Sequence, residues 1–517
     1  MKANLQRGSK KGKIVTSVVL GIMIGAGFVH AAEDTRYTNP KADERVNAVS
    51  NLAAPVSEFT ENHDVIEAIR QSKFTGFAAV RQVSVGGNDA LGNRWQTMIK
   101  VDATSARLYG FQAQVGIYMS QGTTAPDSTF SDGDVQGSRA IRMDGKGVSD
   151  AFNFSNINFG YYYDAGPLKS ELVLGRMNMR SALVNQSTDY GLGGMYKGNL
   201  SGLDFSIAYY DSWVTDNIYK SLLTRNWEAA QKQNVAQFGI GNNLIRVSVA
   251  NSGSFVKGLS FEATYLKAVH LVDIGYLDGR YKIGFMGDKA SFDVYGQVGY
   301  LYLNDGAQFQ VGGATGNVVN ANKELLSGPI ANQTQSVAWA KNAGLYNIQA
   351  NLNFDFLEKQ NAGGTLGFMG SFGEGYGVSL ANGTFKTAGS YWQSYTTYLE
   401  GTHFTGAGSK KGSNIHVAYA KFHYAPIKQV TFGLDLAYIH GKTNMPLLIK
   451  AQERRGISND RKTYRYSSID TDNAGLFEIN PRVVFKYKKG IAFTAEYSQI
   501  LGDMQMWRAY FEARFTL

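Results

Sequence analysis

The sequence predicts an all-β chain, a transmembrane antiparallel β-barrel of about 18 strands with short periplasmic turns and long extracellular loops. Three observations carry that expectation. The C-terminal stretch MWRAYFEARFTL, Met506 to Leu517, alternates strictly: Trp507, Ala509, Phe511, Ala513, Phe515 and Leu517 are apolar, with Arg508, Tyr510, Glu512, Arg514 and Thr516 between them. The same period of two recurs from residue 73 onward, and the connections between the alternating runs switch between short and long. A soluble sandwich must share one dry core among all its apolar strand faces, and this chain has too many such faces. Lipid outside and water inside accommodate them. Residue usage agrees, with 59 Gly, 30 Tyr and 29 Phe but only 8 Pro among 517 residues, as expected of strands with aromatic belts rather than helices or Pro-rich linkers.

The N-terminus reads as an export signal, residues 1–31. Lys2, Arg7, Lys10, Lys11 and Lys13 form a basic region, Ile14 to Val29 run apolar, and Val29-His30-Ala31 suits cleavage after Ala31. Its removal leaves 46 Lys+Arg against 42 Asp+Glu, so the formal charge falls from +9 to +4 and a nucleic-acid partner loses its main support. No later run is long enough for a membrane helix. Residues 32–72 are expected to form a periplasmic extension ending in a short amphipathic helix, DVIEAIRQ, with Val65, Ile66 and Ile69 on one side.

The barrel is expected over 73–517. Trp95, Thr97, Ile99, Val101 and Ala103 alternate with Arg94, Gln96, Met98, Lys100 and Asp102, and Tyr109, Phe111, Ala113, Val115, Ile117 and Met119 with Gly110, Gln112, Gln114, Gly116, Tyr118 and Ser120. Later, Tyr346, Ile348, Ala350, Leu352, Phe354 and Phe356 oppose Asn347, Gln349, Asn351, Asn353 and Asp355. Phe477, Ile479, Pro481, Val483, Phe485 and Tyr487 oppose Glu478, Asn480, Arg482, Val484 and Lys486. Short turns are read at Asp164–Pro167, Asn199–Gly202, Pro426–Gln429 and Lys488–Gly490. Long connections are read near Gln121–Asp150, Met177–Tyr190, Ser212–Asn242, Asn304–Asn342 and Lys442–Asn473, with Gly86–Asn93 before them. About nineteen strand-like runs can be counted, but both chain ends belong in the periplasm, so the number must be even. Of Thr365–Gly373 and Ser390–Glu400, one is therefore loop.

A barrel of this size leaves an aqueous channel, which implies passive diffusion of ions and small hydrophilic solutes rather than catalysis. The expected pore-lining residues are Arg94, Lys100, Asp102, Arg176, Glu478, Arg482, Lys486, Arg508, Glu512 and Arg514. The expected constriction is the Met177–Tyr190 loop with Arg180 and Asp189 as opposed charges. The alternative function is an adhesin or receptor acting through long loops, such as Lys442–Asn473 with Arg454, Arg455, Arg461, Lys462 and Arg465. Cysteine is absent, so neither disulfides nor thiolate metal sites are available. Asp132-Gly133-Asp134 and Asp470-Thr471-Asp472-Asn473 do not complete a calcium-binding loop, and His416, His423 and His440 lack paired-ligand spacing. Gly408–Ser413 and Gly191–Tyr196 fail the phosphate- and dinucleotide-loop spacings, and no GxSxG elbow occurs.

The signal segment, VIEAI at Val65–Ile69 leading into FTGFAAVR at Phe74–Arg81, LVLGR at Leu172–Arg176 and YFEARF at Tyr510–Phe515 together resemble the major outer membrane protein porins of Campylobacter and related bacteria. The resemblance is diffuse and spans the chain that follows the signal. It implies an 18-stranded homotrimeric general porin embedded among outer-membrane lipid and lipopolysaccharide, often cation-preferring, with no required cofactor beyond a carboxylate-bound calcium ion in the pore. Two features depart from it: Leu517 ends the chain where an aromatic residue is usual, and the lumenal candidates are mostly basic.

Overall fold

Period-two alternation becomes a closed wall. The computed structural model describes residues 61–87, 90–124, 152–179, 181–184, 190–214, 243–251, 256–269, 271–286, 289–304, 308–311, 317–320, 325–327, 340–357, 360–380, 385, 387–389, 392, 402, 404, 407–443, 447–450, 464–467, 474–502 and 506–517. The signal segment, residues 32–60, Arg180, Asp189, Asp132, Asp134 and Asp470–Asn473 lie outside these. So do Arg454, Arg455, Arg461 and Lys462.

Eighteen long strands form the wall. They are β1 (Lys73–Gly87), β2 (Ala90–Thr104), β3 (Phe111–Thr124), β4 (Phe152–Ala165), β5 (Leu168–Asn178), β6 (Tyr190–Leu200), β7 (Leu203–Val214), β8 (Leu244–Asn251) and β9 (Leu259–Ala268). The second half comprises β10 (Val272–Phe285), β11 (Ala290–Leu303), β12 (Asn342–Leu357), β13 (Gln360–Gly373), β14 (His416–Ile427), β15 (Val430–Gly441), β16 (Ala474–Lys488), β17 (Ile491–Gly502) and β18 (Met506–Thr516). Each pairs antiparallel with its neighbours in sequence. The wall closes where β18 meets β1, in a register running from Phe77 opposite Thr516 to Gly87 opposite Met506, and the Leu517 N–H reaches the Gly76 carbonyl at 3.0 Å. Closure leaves no strand edge in lipid, where each unpaired backbone group would cost several kcal/mol, on the order of a buried unsatisfied amide.

The alternation sorts side chains between lipid and lumen. Along β11, Asp293, Tyr295, Gln297, Leu301 and Leu303 are buried inside, while Phe292, Val294, Val298, Tyr300 and Tyr302 are exposed on the outer face. Large apolar side chains such as Phe159 (70% exposed) and Leu366 (66%) stand on the outer wall, the inside-out pattern of a barrel in lipid.

The tight turns fall as the sequence implies. Ser201 (φ 51°) and Gly202 (φ 88°) join β6 to β7 with both central residues left-handed, the type I′ geometry that matches strand twist. Gly166-Pro167, Lys428-Gln429 and Lys489-Gly490 link the pairs β4–β5, β14–β15 and β16–β17. These turns share the periplasmic end with both chain termini of the wall. Two connections differ from expectation. The Gly86–Asn93 segment is no long loop, because β1 and β2 pair through Gly87 and Ala90 and leave only Asn88-Asp89 between them. The alternation in β13 persists through Gly373, so Gln360–Gly373 is strand, and the chain from 374 to 415 is one further long connection.

Before β1 lies helix α1 (Val65–Arg70), N-capped by the Asp64 carboxylate accepting from the Glu67 N–H at 2.9 Å. The two-residue strand Glu61–Asn62 pairs in parallel with Arg107–Leu108 in the β2–β3 turn, fixing α1 to the periplasmic rim.

Candidate channel lumen and constriction

The inward faces of β16, β17, β18, β1 and β2 form a predominantly basic wall. On β18, Arg508, Tyr510, Glu512 and Arg514 point inward. Arg81 on β1 is the register partner of Glu512, with its Nε 3.5 Å from Glu512 Oε2. Arg514 approaches Glu512 Oε1 at 3.7 Å and stacks 3.9 Å over the Phe77 ring, and the Tyr510 hydroxyl donates to Glu512 at 2.7 Å. One buried carboxylate thus sits between two guanidiniums, an arrangement that holds long basic side chains in fixed rotamers. Arg508 pairs with Glu496 at 3.4 Å. Arg482 is the register partner of Glu496, and its guanidinium lies over Gly433. Lys486 points inward on the same strand, nearer the periplasmic turn.

On β2, Lys100 lies 3.3 Å from Asp102, whose Oδ1 accepts from Ser155 Oγ and Asn156 Nδ2, each at 2.7 Å. Gly116 supplies the room. A Cβ there would stand 1.8 Å from Asp102 Oδ1 and 2.4 Å from Ser155 Oγ. Arg94 is the backbone register partner of Val83 on β1. Arg176 shares its register with Ile157 and Leu192 and follows Gly175 (φ 123°), past which the alternation lapses and Met177, Asn178 and Met179 are all buried. Its Nε donates to the Phe154 carbonyl at 2.8 Å, and the guanidinium lies 5.4 Å from the buried Tyr190 ring, which Lys100 approaches at 5.6 Å.

Half-way round the wall, β9 to β14 carry a hydrogen-bonded acidic and amide network. Glu262 and Asp278 are register partners on β9 and β10. Tyr276 and Tyr295 both donate to Asp278 Oδ2 at 3.0 Å, and Gln297 Nε2 donates to the Tyr276 hydroxyl at 2.7 Å. Asp293 accepts from Arg280 at 2.5 Å and from Asn351 at 2.6 Å. Asn347 donates to Gln297 at 3.0 Å and accepts from Tyr419 at 2.7 Å, and Thr365 on β13 donates to Asn351 at 2.7 Å, so the network runs over the five strands β10 to β14. Sequence reasoning placed Asn347, Gln349 and Asn351 on a polar face but did not select this wall. The available signal was the same alternation, visible in Asp293, Tyr295 and Gln297 alternating with Phe292, Val294 and Val298.

Nearer the extracellular rim the lumen is apolar, and two chain segments fold into it. In the expected constriction loop, Met179, Leu183 and Val184 are buried. The Met179 carbonyl accepts from Arg246 Nη1 and, at 3.3 Å, from the Tyr210 hydroxyl. The second segment, within 374–415, was not anticipated. Tyr376, Val378, Leu380, Phe385, Ala388 and Trp392 are buried against Leu183 and the apolar collar of Leu301, Val417, Ile439 and Leu476. The Leu380 N–H donates to the Leu183 carbonyl at 3.2 Å, joining the two segments. Gly299 lacks the Cβ that would press to 2.9 Å from the Phe385 ring.

Two wall carboxylates pin this segment. Glu478 Oε2 accepts from the Trp392 N–H at 3.2 Å, its Oε1 accepts from Ser498, and Asp435 accepts from the Gly389 N–H at 3.3 Å. The Tyr376 hydroxyl donates to the Thr443 carbonyl. Burial pushes that hydroxyl well above its ordinary range, so it stays a neutral donor.

Among the described residues no three Asp, Glu, His or Cys side chains come together as a metal site. Glu262 and Asp278 make only a pair, and Asp278 is occupied by two tyrosine hydroxyls. His416 and His440 are register partners at the extracellular end of the wall, stacked on Phe368 and Tyr438, and His423 bonds Asn361 at 2.7 Å.

No protein family and no curated protein matches this sequence. Solved structures do match its fold. Acinetobacter baumannii OccAB1 aligns with TM-score 0.53 at 9% identity, covering 89% of this chain and 99% of its own. Acinetobacter baumannii OccAB4 aligns with TM-score 0.52 at 11% identity, covering 90% and 100%. OccD1 (OprD) aligns with TM-score 0.50 at 9% identity, covering 89% and 97%. The chain has the outer-membrane porin fold. It crosses the outer membrane as a multi-pass β-barrel.

Proposed function

We propose that the protein is a non-enzymatic diffusion porin, passing ions and small hydrophilic solutes through a water-filled channel across the outer membrane. The observation that carries this reading is the charged lumen. Arg81, Lys100, Arg482, Arg508 and Arg514 line one side, and Glu262, Asp278 and Asp293 line strands half-way round the wall. Charges facing each other across a narrow aqueous passage orient water and admit polar solutes in preference to apolar ones. The cations are spread over β1, β2, β16 and β18 rather than gathered in one pocket. This supports passage by charge and size over recognition of one compound. The inward segments around Leu183 and Leu380 narrow the path from the extracellular side. The finer kinship with the Campylobacter-type major outer membrane protein porins, and assembly as a homotrimer among lipopolysaccharide, rest on the sequence resemblance and form part of the proposal.

The test is single-channel recording of detergent-purified protein in a planar bilayer under a salt gradient. Discrete conductance steps with a defined reversal potential are expected, with an anion preference if the basic wall governs and steps grouped in threes if the protein is a trimer. Silence from folded, heat-modifiable protein would overturn the channel reading.

A further inference from the structure

We propose that α1 is an interfacial helix seated in the periplasmic leaflet of the outer membrane, its partner a phospholipid surface. This inference goes beyond the channel reading and does not rest on it. A short amphipathic helix tied to a folded domain ordinarily turns its apolar side toward that domain. Here the sides are reversed. Ala68 faces the barrel rim, buried, with its carbonyl accepting the Ala106 N–H at 3.1 Å. Val65, Ile66 and Ile69 point away and are 56%, 76% and 65% exposed. At about 100° per residue, these three share one arc of the helix. Glu67 and Arg70, paired at 3.8 Å, lie beside it and are exposed, which is the apolar arc with a charged flank that lies in a membrane interface.

The arc continues an established lipid-facing surface. The His63 ring, immediately before the helix, packs 5.0 Å from the Tyr109 ring, and the Tyr109 hydroxyl donates to the His63 carbonyl at 3.1 Å. Tyr109 precedes Phe111, whose ring lies 4.8 Å from Tyr161 on the neighbouring strand. Tyr109, Phe111 and Tyr161 are all exposed at the periplasmic end of the outer wall, where aromatic girdles sit at headgroup level. The segment leading into α1 is thus stitched to the girdle, which holds the helix at the depth where its isoleucines meet acyl chains.

The chain contains no cysteine, so single nitroxide labels can be placed in the full-length protein without removing native thiols. Ile66→Cys, Ile69→Cys, Glu67→Cys and Arg70→Cys would be labelled, reconstituted in phosphatidylethanolamine/phosphatidylglycerol vesicles, and checked for heat-modifiability. Collision rates with oxygen and with a water-soluble nickel chelate are then compared by spin resonance. Oxygen is expected to exceed the chelate several-fold at positions 66 and 69, and the order to reverse at 67 and 70. Dominance of the chelate at all four positions would overturn the proposal, placing the helix in periplasmic water. Shielding of 66 and 69 from both reagents would overturn it equally, because protein and not lipid would cover the arc. The readout needs a folded barrel but no conductance, so its failure is separable from failure of the channel reading.

Discussion

Glu478→Ala tests whether the 374–415 segment is held in the lumen by the wall carboxylates. The described hydrogen bonds that hold the segment include Trp392 N–H to Glu478, Gly389 N–H to Asp435, the Tyr376 hydroxyl to the Thr443 carbonyl, and Leu380 N–H to the Leu183 carbonyl. A hydrogen bond to a buried carboxylate contributes about 1.5–3 kcal/mol. At 1.4 kcal/mol per tenfold, its loss raises the displaced population of the segment by roughly 10- to 100-fold. Removing Asp435 as well roughly doubles the loss on the free-energy scale if the two anchors act independently, since each holds a different backbone N–H. Glu478→Gln keeps an acceptor oxygen and sheds only the charge-assisted part, so it should fall between wild type and Glu478→Ala. Ser498→Ala removes a wall-to-wall contact of the same carboxylate and should leave the segment in place. The assay is single-channel recording, reading the dwell time in any state of higher conductance. Longer dwell is expected in the order wild type, Glu478→Gln, Glu478→Ala, Glu478→Ala/Asp435→Ala. Identical traces from all four folded proteins would refute the reasoning.

Three further outcomes follow from the geometry. Gly116→Val drives a side chain into the Asp102 carboxylate and should lower barrel stability by about 3 kcal/mol through its hydrogen bonds to Ser155 and Asn156. The urea midpoint read by heat-modified mobility checks this, and Asp102→Ala in the same chain should recover part of the loss. Phe511→Arg puts a charge at the middle of β18 on the lipid face, opposite Gln82 and Ala495. It should cost about 2–4 kcal/mol, visible as a reduced folded fraction in vesicles but not as altered selectivity. Arg482→Glu/Lys486→Glu exchanges two lumenal cations for anions and should shift the reversal potential toward the cation limit at low salt, with the shift shrinking as screening rises. An unchanged potential would place both side chains outside the conducting path.

Much of the wall was legible in the sequence because a strand's faces are a local property. Trp507 to Leu517 could be assigned to lipid, and Arg508, Glu512 and Arg514 to the lumen, from spacing alone. The parity of the strands and the closure of β18 on β1 followed from forbidding an open edge in a bilayer. Arg176 shows where spacing stops deciding: past Gly175 (φ 123°) the alternation lapses, with Met177, Asn178 and Met179 all buried, so the period through Leu172 and Leu174 does not fix the side that position 176 takes.

The partners of each lumenal charge and the filling of the extracellular half of the barrel were decided only by tertiary structure. Arg81 meets Glu512, and Asp278 meets Tyr295, because non-adjacent stretches are brought into register, and alternation carries no record of which residue stands opposite. The inward segment was hidden for a related reason. Tyr376, Val378 and Leu380 alternate like a membrane strand, but their apolar side chains pack on Leu183 and the collar within the barrel. Period and hydrophobicity say that a segment leaves water. Whether it meets lipid outside the wall or other side chains inside depends on backbone pairing, and that was settled only when His416, and not the residues after 374, supplied the next strand beside β13.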